Sequence, residues 1–434
     1  MKLHAWFQCF SGCRVRYELD QTVYSCESCG GLLEVAHDVA ALTQKPAGEW
    51  KELFDSRRGS GSGVWSKKEV VLPELDSANI VSLGEGNTPL IKSDRFARHI
   101  GVDEIYVKQC GTSHTGSFKD LGMTVLVSMV NQIRSRIRAV ACASTGDTSA
   151  AVSAYCAAAG IPAIVFLPKD KVSVAQLIQP IANNAITISI DSDFDGCMKI
   201  VREITKDKSI YLANSMNSLR VEGQKTISFE IAQQLGWQVP DFVVVPGGNL
   251  GNISAIGSGF MLMREMGLIE RLPRLVCAQA ERANPLYRSY REGFSNLQPI
   301  TAGSTNATAI QIGNPVSFAK AVKALRASGG IVEQATETEL VNASAEVDRF
   351  GFFNDPQTGV ALAATIKLVK SRAIPAASRV VVISTAHGLK FADFKARFHQ
   401  GQIPAVDPAL QNLPINVPAD VNAVRKAIDG RIPA

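Results

Sequence analysis

Runs of like charge are missing from this 434-residue chain. Its 45 Lys and Arg and 40 Asp and Glu are spread along the length and leave a net charge of +5. A nucleic-acid partner read by a basic stripe is therefore not expected. A long apolar leader is missing too: Met1-Lys-Leu-His-Ala-Trp-Phe-Gln-Cys-Phe10 has no extended hydrophobic core and no small-residue cleavage site. The chain accordingly reads as cytoplasmic rather than secreted or plastid-directed. The stretch Thr148 to Pro168 is free of charge and long enough to span a bilayer, but Gly160-Ile161-Pro162 breaks it. A buried helix followed by a buried strand is expected there, and no membrane partner. A disulfide framework is also absent. Nine cysteines are an odd number; Cys9, Cys13, Cys26 and Cys29 cluster at the amino terminus, and the others stand singly at 110, 142, 156, 197 and 277. That distribution fits a reducing compartment with one local cluster.

What remains is an ordinary globular composition, 46% hydrophobic and 20% charged, in a chain long enough for two or three domains. Residues 1–80 hold the cysteine cluster and the turn-rich Gly59-Ser-Gly-Ser-Gly63. From about residue 100 short apolar runs alternate with helical stretches. The strands are read at Ile105–Lys108, Ala139–Ala143, Ala163–Leu167, Ala185–Ile190, Ile210–Ala213, Phe242–Val245, Leu275–Gln279 and Val380–Ile383. Short runs rich in β-branched residues suit strands covered on both faces, and the alternation implies right-handed crossovers. The fold class is therefore α/β, with two open, mostly parallel α/β domains. Ligands in such folds bind at the carboxyl ends of the strands.

Three strand-to-helix loops carry chemistry. In His114-Thr-Gly-Ser-Phe-Lys119-Asp-Leu-Gly122 a lysine opens a helix, where the positive end of the dipole and burial both favour the neutral amine. A neutral amine is what bond formation with an aldehyde requires; a solvated lysine with Asp120 as companion is the alternative. Pro246-Gly-Gly-Asn-Leu-Gly-Asn252 turns backbone N–H groups into one concavity and suits a phosphate, or is an ordinary glycine turn. It matches neither a dinucleotide fingerprint nor a nucleoside-triphosphate loop. Ser144-Thr-Gly-Asp-Thr-Ser149 suits a carboxylate clamp, or else Asp147 or Thr148 merely caps a helix. An amine, a phosphate cradle and a carboxylate clamp together describe what pyridoxal 5′-phosphate chemistry on amino acids requires.

Ser117-Phe-Lys-Asp-Leu-Gly122, Ser144-Thr-Gly-Asp-Thr148, Pro246–Asn252 and Ser384-Thr-Ala-His-Gly388 resemble the fold type II pyridoxal-phosphate enzymes. Glu85-Gly-Asn-Thr-Pro-Leu90 and Asn214-Ser-Met-Asn-Ser-Leu-Arg220-Val-Glu-Gly-Gln-Lys225 resemble the threonine synthase family, and Ser62-Gly-Val-Trp-Ser-Lys-Lys68 its plant-type branch. The resemblance implies a large cofactor-binding domain from 81–135 and 215–400, a small α/β domain over 136–214, and a carboxyl-terminal segment over 401–434. It implies that Lys119 joins the cofactor aldehyde and shuttles protons, that Phe118 packs near the pyridine ring, and that Gly248, Asn249, Leu250, Gly251 and Asn252 hold the cofactor phosphate. Thr385 faces the pyridine nitrogen in this reading. Ser144, Thr145, Asp147 and Thr148 serve the substrate carboxylate and the cofactor 3′-oxygen, although many relatives have Asn where this chain has Asp147. The substrate implied is O-phospho-L-homoserine, with Asn214, Ser215 and Arg220 gripping its phosphate; a guanidinium fork matches phosphate oxygens. A helix-surface arginine is the plainer alternative for Arg220. A homodimer is implied as well. A threonine or serine dehydratase, or a cysteate synthase of the same fold, remains the competing activity.

Cys9-x3-Cys13 and Cys26-x2-Cys29-Gly30-Gly31 together resemble a four-cysteine zinc ribbon, implying a closed structural zinc; four reduced thiols in a small β subdomain are the alternative. His4 and His37 read as surface residues, not ligands.

Overall fold

The computed structural model describes residues 2–144, 146–169, 174–192, 194–404 and 406–432. At the amino terminus β1 (Ala5–Cys9), β2 (Arg16–Tyr17) and β3 (Leu33–His37) form an antiparallel sheet of order β2-β1-β3. Its register sets Cys9 opposite Leu33 and Ala5 opposite His37. Strand β1 alternates as the pleat demands, turning Ala5, Phe7 and Cys9 inward.

Two further sheets follow. An edge hairpin of β4 (Leu90–Lys92) and β5 (Glu104–Gln109) precedes the chain's excursion into a second sheet. There β6 (Ala139–Ala143), β7 (Ala163–Pro168), β8 (Ile186–Ile190) and β9 (Ile210–Leu212) run parallel in the order β8-β7-β6-β9. The chain then returns to add β10 (Phe242–Pro246), β11 (Arg274–Ala280), β12 (Ile331–Ala335) and β13 (Arg379–Ser384) to the first sheet. Its order is β12-β11-β10-β13-β5-β4, with only β4 running against the rest. Every residue of β6 and β10 is buried, because helices cover both faces.

Observed strand boundaries lie within about a residue or two of those read from periodicity. The Thr148–Pro168 stretch is the helix Asp147–Ala158 followed by β7, and no helix among the described residues is long and apolar enough to cross a membrane. Three features escaped: the amino-terminal sheet, β4 and β12. Strands β2 and β4 are too short for a period, β1 and β3 mix polar residues into five-residue runs, and β12 carries Glu333 and Gln334 at its centre.

One packing contact positions the site. The helix Lys119–Gln132 is buried on nearly every side and crosses the helix Ser218–Gln224. They meet at Gly122 and Gly223. A Cβ on Gly223 would stand 1.6 Å from the carbonyl oxygen of Leu121, and one on Gly122 would stand 2.8 Å from that of Arg220. The backbones therefore touch, and Arg220 is carried beside the start of the Lys119 helix. Helix propensity alone makes Gly223→Ala stabilising by about 1 kcal/mol. The contact reverses that sign. Overpacking predicts a loss of about 2 kcal/mol or more, seen as a lower thermal midpoint, and an unchanged or raised midpoint would refute the close crossing.

Candidate active site

The sheet order β10-β13-β5 sets three loops side by side at the carboxyl ends of parallel strands. Strand β5 leads to the Lys119 turn, β10 to the glycine loop and β13 to Thr385. The Phe118 N–H donates to the Thr385 carbonyl at 2.9 Å, and Ser117 bridges Ala386, so the lysine turn is stitched to the end of β13.

Lys119 opens its helix and is only half-buried as a residue, with its Nζ 3.9 Å from the centroid of the Phe118 ring. Burial comes first among the causes that lower its pKa to about 7; Arg220 and Lys390 push the same way, while Asp147 and Asp355 oppose them. An amine so placed is about half neutral at pH 7, against a vanishing fraction for an ordinary lysine, and the neutral form is the nucleophile. Asp120 is not its companion. That carboxylate accepts from the Thr115 N–H at 2.7 Å and its hydroxyl at 2.5 Å, and burial raises its own pKa to about 7.

The glycine loop is packed too closely at Gly247 and Gly248 to admit side chains there. A Cβ on Gly247 would meet Cys277 Sγ at 2.4 Å, and one on Gly248 would meet Ile310 Cα at 2.9 Å. Leu250 takes the left-handed conformation at φ 65° and caps the helix Gly251–Glu265. The Asn249 carbonyl accepts from the Ser317 N–H at 3.0 Å. Asn252, 6% exposed, has both amide atoms buried without a partner. Orphaned polar atoms at a helix start fit an anion such as the cofactor phosphate.

From the small sheet, β6 runs into the loop of Ser144, whose hydroxyl accepts from the Gly146 N–H at 3.3 Å. Thr145 lies outside the described residues. Neither Asp147 nor Thr148 caps the following helix, because Gly146 occupies that position. Instead Thr148 Oγ1 accepts from Arg220 at 3.2 Å, and Asp147 pairs with Lys390 at 3.0 Å. Arg220 is no surface residue. It is 4% exposed, donates also to the Ala213 carbonyl at 3.1 Å, and its buried Nε has no partner. Burial pulls its pKa down to about 10, so it keeps its charge at neutral pH. Ser215 is half-buried nearby in the chain, and the Asn214 amide exchanges hydrogen bonds with the Ala143 backbone at 3.1 and 3.0 Å.

Two residues escaped the sequence reading. Asp355 caps the helix Pro356–Lys370 and faces Thr385 Oγ1 at 3.3 Å from either oxygen, while accepting from the Ala386 N–H at 2.8 Å. Burial pushes its pKa up. Lys390 joins the Lys119 turn to helices flanking the four-stranded sheet, donating to the Thr115 carbonyl at 2.9 Å and to Gln179 at 3.0 Å besides pairing with Asp147. A lone aspartate and a lone lysine outside the motifs give no periodic signal.

Away from this cleft the sulfurs of Cys9, Cys13, Cys26 and Cys29 all lie within 4.8 Å of one another, with Cys9 and Cys29 3.5 Å apart. Burial works against ionising Cys26, but N–H groups of Ser28 and Cys29 overcome it and bring that thiol to about 6. Four converging sulfurs suit a tetrahedral metal. His4 pairs with Glu74 at the surface as expected, whereas the His37 side chain is 5% exposed and sits 2.7 Å from Glu222. Its place at the end of β3, against the Ser218–Gln224 helix, buries it.

Residues 81–386 match the family model described as pyridoxal-phosphate dependent enzyme. Threonine synthase 2, chloroplastic, of Arabidopsis thaliana is 57% identical over 418 residues, 94% of this chain and 81% of that protein. Threonine synthase of Methanocaldococcus jannaschii is 40% identical over 417 residues, 96% of this chain and 98% of that protein. The crystal structure of threonine synthase from Escherichia coli superposes with a TM-score of 0.69 over 98% of this chain and 100% of that one; at 20% identity it speaks to the fold. The Arabidopsis name specifies the chloroplast, which does not match the cytoplasmic location expected for this chain.

Proposed function

We infer the roles that follow from one premise: this chain belongs to the pyridoxal-phosphate dependent enzymes and, within them, to the threonine synthases. The reaction assigned is the conversion of O-phospho-L-homoserine and water to L-threonine and phosphate by a carbon–oxygen lyase acting on phosphates. The observation that carries it is Arg220: a buried guanidinium with an unpartnered Nε beside Lys119, separate from the glycine loop.

Bound pyridoxal 5′-phosphate supplies an electron sink for charge developing on the substrate's α-carbon. Gly248, Asn249, Leu250, Gly251 and Asn252 hold its phosphate, Phe118 packs against its ring, and Thr385 meets the pyridine nitrogen. Asp355 behind Thr385 orients that hydroxyl. Lys119, about half neutral at pH 7, would hold the cofactor through its aldehyde, and its Nζ would take the substrate Cα proton and carry protons along the substrate chain. Ser144 and Thr148 hold the substrate carboxylate. Arg220 with Ser215 and Asn214 fixes the phosphate, so that the Cγ–O bond is aligned for loss before water adds at Cβ. Asp147 is assigned to the cofactor's 3′-oxygen side, with its charge compensated by Lys390. Residues 81–135 with 215–400 are assigned to cofactor binding and 136–214 to the small domain, and a homodimer is proposed from the resemblance alone. A dehydratase acting on threonine has no phosphate to grip, so a buried arginine here favours the synthase.

Lys119→Ala is expected to abolish both phosphate release from O-phosphohomoserine and the visible absorbance of bound cofactor. Arg220→Ala is expected to keep the absorbance and lower kcat/KM by about 10²-fold, the cost of removing a charged partner from a buried anion. Ketoacid production from threonine matching phosphate release would favour the dehydratase instead. We also assign a structural zinc to Cys9, Cys13, Cys26 and Cys29. Mass-spectrometric metal analysis of protein never exposed to chelator should find zinc equimolar with the chain, and metal-free, fully stable protein would refute it.

A further inference from the structure

We propose that the amino-terminal cysteine module positions the substrate-phosphate anchor; this rests on reading Asn214, Ser215 and Arg220 as that anchor. The contacts are specific. Tyr24, two residues before Cys26, accepts from the Leu212 N–H at 2.7 Å and sets its ring edge-on to Tyr211, just ahead of Asn214. The Leu33 carbonyl, on the strand residue paired with Cys9, accepts from the Ser218 hydroxyl and from Lys320 Nζ at 2.6 Å. At the other end of β3, His37 stands 2.7 Å from Glu222 and 2.8 Å from Lys225. Ser218 and Glu222 flank Arg220 on one short helix.

The sulfur cluster is tied to both sides of this frame. Cys26 N–H donates to Gly31 O at 2.8 Å and Gly30 N–H to Cys26 O at 2.7 Å, and Ser25 bridges Leu32, so the knuckle hands directly into β3. Side chains of His37, Glu222 and Lys225 are 5%, 3% and 1% exposed. Burying three titratable groups for packing alone is costly, since apolar residues would fill the same space without desolvation. A fixed polar frame defines register instead. Among the described residues no hydrogen bond or ion pair joins residues 2–37 to Lys119, to the Gly248–Asn252 loop or to Thr385. The module therefore meets the phosphate anchor directly and reaches the cofactor lysine only through Arg220.

The test is inorganic phosphate binding to the cofactor-loaded enzyme by isothermal titration calorimetry, with the cofactor cradle already filled. Tyr24→Phe, Ser218→Ala and Cys26→Ser/Cys29→Ser should each weaken phosphate by about three- to tenfold, the worth of one hydrogen bond or its frame. Cofactor absorbance should be unchanged, and KM for the phosphorylated substrate should rise more than kcat falls. Should the cysteine variant fail to fold, the two single variants decide the matter. Unaltered phosphate affinity in folded Tyr24→Phe and Ser218→Ala overturns the proposal, as does loss of cofactor absorbance in step with phosphate binding. Wild-type enzyme that binds no phosphate overturns the anchor reading, and this proposal with it.

Discussion

Everything in the cleft depends on an amine that cannot comfortably hold its proton. Burial removes water from Lys119, and the Arg220 guanidinium adds repulsion. That pairing exists because Gly122 and Gly223 let two helices touch along their backbones. A side chain at either position would force the helices apart and move the cation away from the amine. Two glycines thus couple sequence, packing and reactivity: close approach sets charge placement, and charge placement sets protonation.

The surrounding carboxylates temper this field. Asp147 and Asp355 each favour the charged amine, yet each is engaged elsewhere, Asp147 with Lys390 and Asp355 with Thr358, Thr385 and Ala386. Their charge is partly spent before it reaches Lys119. Lys390 has a second consequence. By binding the Thr115 carbonyl of the lysine turn together with Asp147 and Gln179 beside the four-stranded sheet, it ties the two sheets together across the cleft.

Much of this was legible in the sequence, for definite physical reasons. Strands buried on both faces leave continuous β-branched runs, so β6, β10 and β13 could be placed nearly to the residue. Tight turns at the carboxyl ends of parallel strands leave glycine and hydroxyl signatures, which made the loops at Gly248–Asn252 and Ser144–Thr148 visible. Single residues supplied by distant elements leave nothing periodic. Asp355 caps the helix Pro356–Lys370, and its second role toward Thr385 depends on β13 lying beside that helix start. His37 read as a surface residue, and only the tertiary contact with Glu222 hides its ring.

The account's central claim is the protonation state of one nitrogen. The most direct measurement is the rate at which cofactor-free enzyme captures pyridoxal 5′-phosphate, followed by absorbance across pH. Only the unprotonated amine reacts, so the rate should rise with pH, reach half its maximum near pH 7, where burial and Arg220 place the Lys119 amine, and level off above it. A rate still climbing past about pH 9, as an ordinary lysine would give, would contradict the account.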